Sequence, residues 1–187
     1  MKKNSKRFKL LRVTLNALMI SGISLALSQL AFADLPDDVQ SKIKTYQEKL
    51  ASWSQDPDII SAIKHMNTQS DTMNNDAWKG LASNDPQVQK YLTSPAGQKL
   101  HHWKKEQALG KLFIRDKHGN FVAGSNKPAI YNISDRPPFK NAIKGKAWSA
   151  KKIKKDPTTK RQSVQLSYPV VSDGENIGII HTAIILD

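Results

Sequence analysis

The sequence predicts an α+β fold, with helices gathered in the first half and an antiparallel sheet of about five strands in the second. Three observations carry that prediction. Apolar residues recur with the helical period as far as residue 109 and alternate with period two from Gly110 onward. Three proline-marked helix starts, Asp56-Pro57, Asp85-Pro86 and Ser94-Pro95, all fall in the first part. Short turn signals, such as His118-Gly119-Asn120 and Ser172-Asp173-Gly174, separate the later apolar runs, and connections that short favour antiparallel neighbours.

The first 33 residues are expected to stand outside the fold. Lys2, Lys3, Lys6, Arg7, Lys9 and Arg12 form a basic head, Val13 to Leu30 an apolar middle, and Ala31-Phe32-Ala33 a small-x-small exit. These are the parts of a secretory signal, with cleavage expected after Ala33 and a periplasmic or secreted location. An uncleaved anchor is the alternative; Asn16, Ser21, Gly22, Ser24, Ser28 and Gln29 make the stretch polar for a membrane span. Six of the 29 basic residues and none of the 16 acidic ones precede Asp34, so the formal charge of +13 falls to +7 for residues 34–187. That moderate excess does not indicate a nucleic-acid binder. With no cysteine the chain has no disulfide, and packing alone must stabilise it.

Residues 34–109 read as the helical part. Leu35 to Ser54 carries Val39, Ile43, Tyr46 and Leu50 on one stripe. The second helix starts at Asp56-Pro57 and presents Ile59, Ile60, Ile63 and Met66; a short third is expected around Met73, Trp78 and Leu81. Asp85-Pro86 opens another, and Ser94-Pro95 launches one through Leu100, Trp103 and Gln107 to Ala108, ended by Gly110. Residues 110–187 read as the sheet part. Lys111–Arg115 and Phe121–Ser125 form a hairpin; a loop from Asn126 to Asp135 leads to a turn or two of helix over Phe139–Lys144. Lys146–Lys154, Ser163–Val171 and Ile177–Leu186 are the remaining expected strands.

Several residue groups, in order, resemble the Cache family of extracellular sensor domains, also called PDC domains. They are Asp56-Pro57-Asp58-Ile59-Ile60-Ser61-Ala62-Ile63 with Asn67; Asp116 and Gly119 with Phe121-Val122-Ala123-Gly124-Ser125; Tyr131, Asp135-Arg136-Pro137-Pro138-Phe139 and Ala142; and Asp156-Pro157, Leu166-Ser167-Tyr168-Pro169-Val170 and Gly174 with Ile177-Gly178-Ile179. The likeness covers nearly all of residues 34–187, read as a single sensor domain. It implies a PAS-like sheet behind a helical layer, with a small-molecule ligand between the sheet and the loop and helix that cover it. Most members are the outer part of a chemoreceptor, kinase or cyclic-dinucleotide enzyme. This chain departs from them in showing no retained membrane helix and no output domain, so it is expected to act through a separate membrane-bound signalling partner.

Arg136 is the first candidate ligand residue, because its planar fork matches a carboxylate. The bland reading is a surface arginine pairing with Asp135. The family's amino-acid-binding subgroup has a tyrosine, an arginine five residues on and then two aromatics, with a later aspartate for the amine. Tyr131, Arg136 and Phe139 match this pattern, whereas Pro138 replaces one aromatic and Ala183 stands where the aspartate would be. The resemblance therefore favours an organic acid over an amino acid. Alternation on the last strand places Ile177, Ile179, His181 and Ala183 on one face, so His181 is either a pocket contact or a hydrogen-bonded core residue. Trp148 and Tyr168 are expected to wall the pocket or to pack across strands, and Lys146 to approach an anion or face water.

Other chemistries find little support. The five histidines are scattered without chelating spacing, no serine sits in a nucleophile elbow, and no cofactor is indicated. The chain is thus read as a binding protein and not an enzyme. Lys144, Lys146, Lys151, Lys152, Lys154, Lys155, Lys160 and Arg161 form a basic cluster. It is explained either by protection of a sheet edge or by docking to an acidic partner, a lipid headgroup or an envelope polyanion. The second explanation supports the alternative function, an envelope interaction protein without a small ligand.

Overall fold

The computed structural model describes residues 35–70, 73–106 and 108–186; the expected signal segment and its cleavage point lie outside the described residues. Among the described residues, six helices and six strands follow in the order α1 (Asp37–Trp53), α2 (Pro57–Asn67), α3 (Asn75–Gly80), α4 (Pro86–Leu92), α5 (Pro95–Trp103), β1 (Leu109–Asp116), β2 (Phe121–Gly124), α6 (Pro137–Ala142), β3 (Trp148–Ser149), β4 (Lys154–Lys155), β5 (Gln162–Ser172) and β6 (Glu175–Ile185).

Local chemistry sets the helix starts. The Asp56 carboxylate accepts from the Asp58 amide at 2.9 Å, and Pro57 sits where no backbone donor is required. Asp85 and Ser94 do the same for α4 and α5, and Asn74 caps α3 without a proline. Helix α5 ends at Trp103, short of the expected Ala108. Leu109 already pairs with Ile184 on β6, and the chain must leave the helix earlier to reach that register.

The sheet is antiparallel throughout, in the order β2-β1-β6-β5-β3, with β4 also paired to β5. The expected strand Lys146–Lys154 is instead two short ones. Ser149 faces Leu166 and Lys154 faces Ser163, so the outer chain advances five residues while β5 advances three. Ala150 still donates its amide to the Gln165 carbonyl at 2.8 Å; the two surplus residues cannot pair, and Lys151 to Ile153 bulge off the edge.

One sheet face is closed by helices. Leu112, Ile114, Val164, Leu166, Ile180 and Ile184 pack beneath Val39, Ile43, Leu50, Ile59, Ile63 and Leu100 as one apolar core. Each fully buried side chain of this kind contributes about 1.5–3 kcal/mol. Gly178 is required where β6 runs beneath α2, since a Cβ there would lie 2.2 Å from the Arg115 carbonyl oxygen and 2.9 Å from Ile63.

The other face carries the segment 125–136 and α6. Phe139 and Ala142 of α6 pack on Ile133 and Ile179, and the Ser167 hydroxyl donates to the Pro138 carbonyl at 2.7 Å. At the β1–β2 end, Trp78, Val88 and Tyr91 close over Phe113, Phe121 and Tyr131. No helix among the described residues is long and apolar enough to cross a membrane.

Candidate functional site

Alternation along β1 sends Leu112 and Ile114 to the helical core and Lys111, Phe113 and Arg115 to the opposite face. There, a cavity of about 220 Å³ lies between the sheet and the covering segment. Lys111, Phe113, Arg115, Gln165 and His181 form its floor; Pro128 to Ile130, Ile133 and Arg136 to Pro138 cover it, and Pro157 and Thr158 close one side.

Arg115 is the centre of this arrangement. It is 1% exposed. Its Nε donates to His181 Nε2 at 3.1 Å, while Nη1 and Nη2 each donate to the Ile130 carbonyl at 3.3 Å. Nη1 also donates to the Tyr131 carbonyl. The guanidinium lies 5.2 Å from the Phe121 ring centroid and 5.7 Å from that of Phe113. Among the described residues no carboxylate forms an ion pair with it. Burial pushes its pKa down to about 9, although Tyr131 and Asp116 pull the other way, so it stays charged at neutral pH. A buried cation held only by neutral acceptors is costly, and a bound anion would offset that cost.

His181 is held neutral. Burial lowers its pKa well below 6.5, and the charges of Arg115 and Lys111 push it the same way. Its role as acceptor from Arg115 requires an unprotonated Nε2. Lys111 is buried and paired with Asp156, whose carboxylate also accepts from Gln165 Nε2 at 3.2 Å and from the Thr158 and Thr159 amides at 2.9 and 2.8 Å. Burial lowers the Lys111 pKa against the pull of Asp156. Burial pushes Asp156 up, but the Lys111 charge and these hydrogen bonds outweigh it and hold the carboxyl below its ordinary value.

The covering segment is tied down at both ends of its path. Trp78 Nε1 donates to the Pro128 carbonyl at 2.8 Å. Asn132 donates to the His118 carbonyl at 3.0 Å, and the Ile133 amide to the Gly119 carbonyl at 3.0 Å in the β1–β2 turn. Gly119 turns there with φ of 85°, where a Cβ would also meet the Ser134 backbone at 2.8 Å.

Of the seven residues that the sequence proposes for the site, Arg136 and His181 line this cavity. Arg136 is half exposed, with Nε 3.3 Å from Asp135. Trp148 lines an adjoining groove. The Tyr131 ring is buried beside Trp78, Tyr91 and Phe121, with its hydroxyl 3.4 Å from that of Tyr91, and its backbone carbonyl accepts from Arg115. Phe139 is packing beneath α6, and Lys146 is exposed away from the cavity lining.

Tyr168 does not wall the pocket. It shares parity with Val164 and Leu166 on β5 and packs against the helical core on the opposite face. Ile177 also leaves its expected face, because the pairing slips between Val170↔Gly178 and Val171↔Asn176 and makes it a bulge residue. Arg115, Lys111 and Gln165 are absent from the sequence-based expectation. The available signal was the run Lys111-Leu112-Phe113-Ile114-Arg115, whose charges share one parity of a strand otherwise apolar enough to be buried.

No family model matches the chain, and no curated relative is similar to it. Among solved structures it is similar to the sensor domain of the Vibrio cholerae histidine kinase DctB, with 19% identity and a TM-score of 0.43 over 80% of this chain and 58% of that one. It is also similar to the ligand-binding domain of the Campylobacter jejuni chemoreceptor Tlp3 in complex with L-valine, with 14% identity and a TM-score of 0.43 over 79% of this chain and 57% of that one. A third is the ligand-binding domain of the Pseudomonas aeruginosa amino acid chemoreceptor PctC in complex with GABA, with 14% identity and a TM-score of 0.43 over 83% and 57%. The chain thus spans between half and two thirds of the length of these sensor domains.

Proposed function

We propose that this chain carries an exported Cache-type sensor domain that binds a small carboxylate-bearing ligand in the Arg115 cavity. Its signal passes through a separate membrane-bound partner. The observation that carries this reading is Arg115, a buried guanidinium with neutral partners at the floor of a cavity also lined by Lys111 and Arg136. The volume, about 220 Å³, sits below the usual range of about 300–1,000 Å³ for ligand pockets and suits a molecule of few heavy atoms. Among the described residues no acidic side chain lines it, so an ammonium group would find no counter-charge from them. That favours an organic acid over an amino acid.

Arg115 also suggests how occupancy would be felt outside. Its guanidinium holds the covering segment through the carbonyls of Ile130 and Tyr131. A carboxylate drawing on the same donors would weaken that hold and shift the population of the segment's conformations.

Thermal shift across a panel of organic acids and amino acids tests the reading, followed by titration calorimetry of any hit against Arg115→Met and Arg136→Ala. Hydrogen bonds to charged groups are worth about 1.5–3 kcal/mol. Arg115→Met should therefore weaken binding at least about tenfold, with a smaller loss for half-exposed Arg136→Ala. A panel without any stabilising acid, or a hit that Arg115→Met binds as tightly as the parent, would sink the proposal.

A further inference from the structure

The edge bulge between β3 and β4 is unexplained by the cavity. It contains Ile153, at 40% the exposed large hydrophobic residue among the described residues, with Lys151, Lys152, Lys154 and Lys155 on either side and all exposed. From Pro137 to Lys155 the chain has no acidic residue, and Lys144 and Lys146 add further exposed positive charge. Beside the bulge runs a groove of about 340 Å³, lined by Pro137, Pro138, Trp148 and Ala150 and rimmed by the bulge lysines.

Edge protection accounts for the lysines and for the bulge, since both discourage pairing with another strand. It does not account for Ile153. An isoleucine at the tip of an unpaired segment invites the contact that the lysines would discourage. Cations flanking a projecting apolar side chain, with a half-buried tryptophan close by, are the composition of a surface that meets anionic headgroups. A folded acidic partner would have to bury several lysines in matched positions and meet the desolvation cost of each. A headgroup layer neutralises them while they remain hydrated.

We propose that the edge segment Lys151–Lys155, the bulge together with β4, is a contact site for an anionic membrane surface, with its lysines among the lipid phosphates and Ile153 at the acyl boundary. The proposal requires no ligand in the cavity, although the groove beside the bulge shares Pro137, Pro138 and Gln165 with it. It would hold an exported chain beside the membrane where a signalling partner is embedded.

The test uses the protein as purified after export, its amino terminus identified by mass. Vesicles of phosphatidylcholine alone are compared with vesicles that also contain phosphatidylglycerol. The variants are Ile153→Ser and the fourfold Lys151→Gln/Lys152→Gln/Lys154→Gln/Lys155→Gln. All four lysines and Ile153 are exposed, so melting temperatures should match the parent. All three proteins carry the same amino terminus, and its own affinity cancels in the ratios.

Binding to the anionic vesicles should fall more than about a hundredfold in the fourfold variant, at about 1 kcal/mol per lysine near the surface. Ile153→Ser should lose about five- to tenfold. Hydrogen exchange on the vesicles should slow in residues 148–155. The proposal is overturned if the parent prefers neither vesicle, if Ile153→Ser binds like the parent, or if protection falls elsewhere. Tighter binding to poly-L-glutamate than to the anionic vesicles would also overturn it, in favour of an acidic protein.

Discussion

The two faces of the sheet are made by the same strands and have opposite chemistry. On β1, β5 and β6 one parity carries Leu112, Ile114, Val164, Leu166, Ile180 and Ile184 beneath the helices, with buried Thr182 as a polar exception whose hydroxyl donates to the Lys111 carbonyl. The other parity sets Lys111, Arg115, Ser163, Gln165, Ser167 and His181 among the apolar Phe113, Ile179 and Ala183, nearly as buried but with its polar groups held by hydrogen bonds and one ion pair. Both faces are out of water, so burial does not distinguish them. They differ in how each would respond to a lost atom: the helical face loses packing, whereas the cavity face loses a partner and strands a charge.

The sharpest way to break that contrast is Lys111→Met. The Lys111–Asp156 pair is almost fully buried. Removing one member leaves Asp156 uncompensated and should destabilise the fold by about 4 kcal/mol, within the range of about 3–5 for broken buried pairs. Adding Asp156→Asn removes the stranded charge while the Thr158 and Thr159 amides keep an acceptor. The double variant should recover more than half of the loss in urea denaturation. If the double variant is as unstable as the single one, charge is not what this face depends on. Ile180→Ala is the helical counterpart. It deletes packing in the core beneath α2 and should cost about 3 kcal/mol, with no second-site charge change able to restore it.

How far each face is legible in the sequence follows from the same contrast. The helix starts are local: Asp56, Asp85 and Ser94 cap their own helices, and their identities announce it. The alternation of β6 places His181 toward the cavity from a single strand. Arg115 needs more. Its role depends on reaching diagonally to His181, which the β1–β6 register sets opposite Phe113, and on the Ile130 and Tyr131 carbonyls arriving from a loop. Tyr168 stays open in the sequence because an aromatic on a strand fits either face until the register is known. Ile177 and the Lys151–Ile153 bulge turn on unequal residue counts between paired strands, which only the pairing shows.

Acid should separate the faces next. His181 is flanked by Arg115, Lys111 and Phe113, and its folded pKa lies well below 6.5. The unfolded chain then takes up this proton before the folded one does. Stability from this group is complete above pH 6.5 and is lost as pH falls below it toward the folded value. Asp156, held below 3.8 in the fold, acts lower: its contribution is complete above 3.8 and is lost as pH falls through its folded value. Melting temperature should therefore begin to fall below pH 6.5. His181→Gln should flatten the slope between pH 6.5 and 4 while leaving the lower limb in place. An unchanged slope in that variant would mean that the cavity face does not govern acid stability.

The smallest effect expected is also the most local. Ser167 is the polar residue on β5 that holds α6 to the sheet, through its hydroxyl on the Pro138 carbonyl at 2.7 Å. Ser167→Ala removes a buried hydrogen bond and leaves that carbonyl without its hydroxyl donor, a loss of about 1 kcal/mol. Phe139 and Ala142 would still seat α6 on Ile179, so the helix should stay in place while its first turn loosens. Pro137 and Pro138 belong to that turn and line the cavity. Hydrogen exchange should therefore speed up in residues 136–142 and stay unchanged in α1 and α2, because the helical face makes no use of this bond. Faster exchange spreading into α1 or α2 would show that the two faces are energetically one unit, and the division drawn between them would fail.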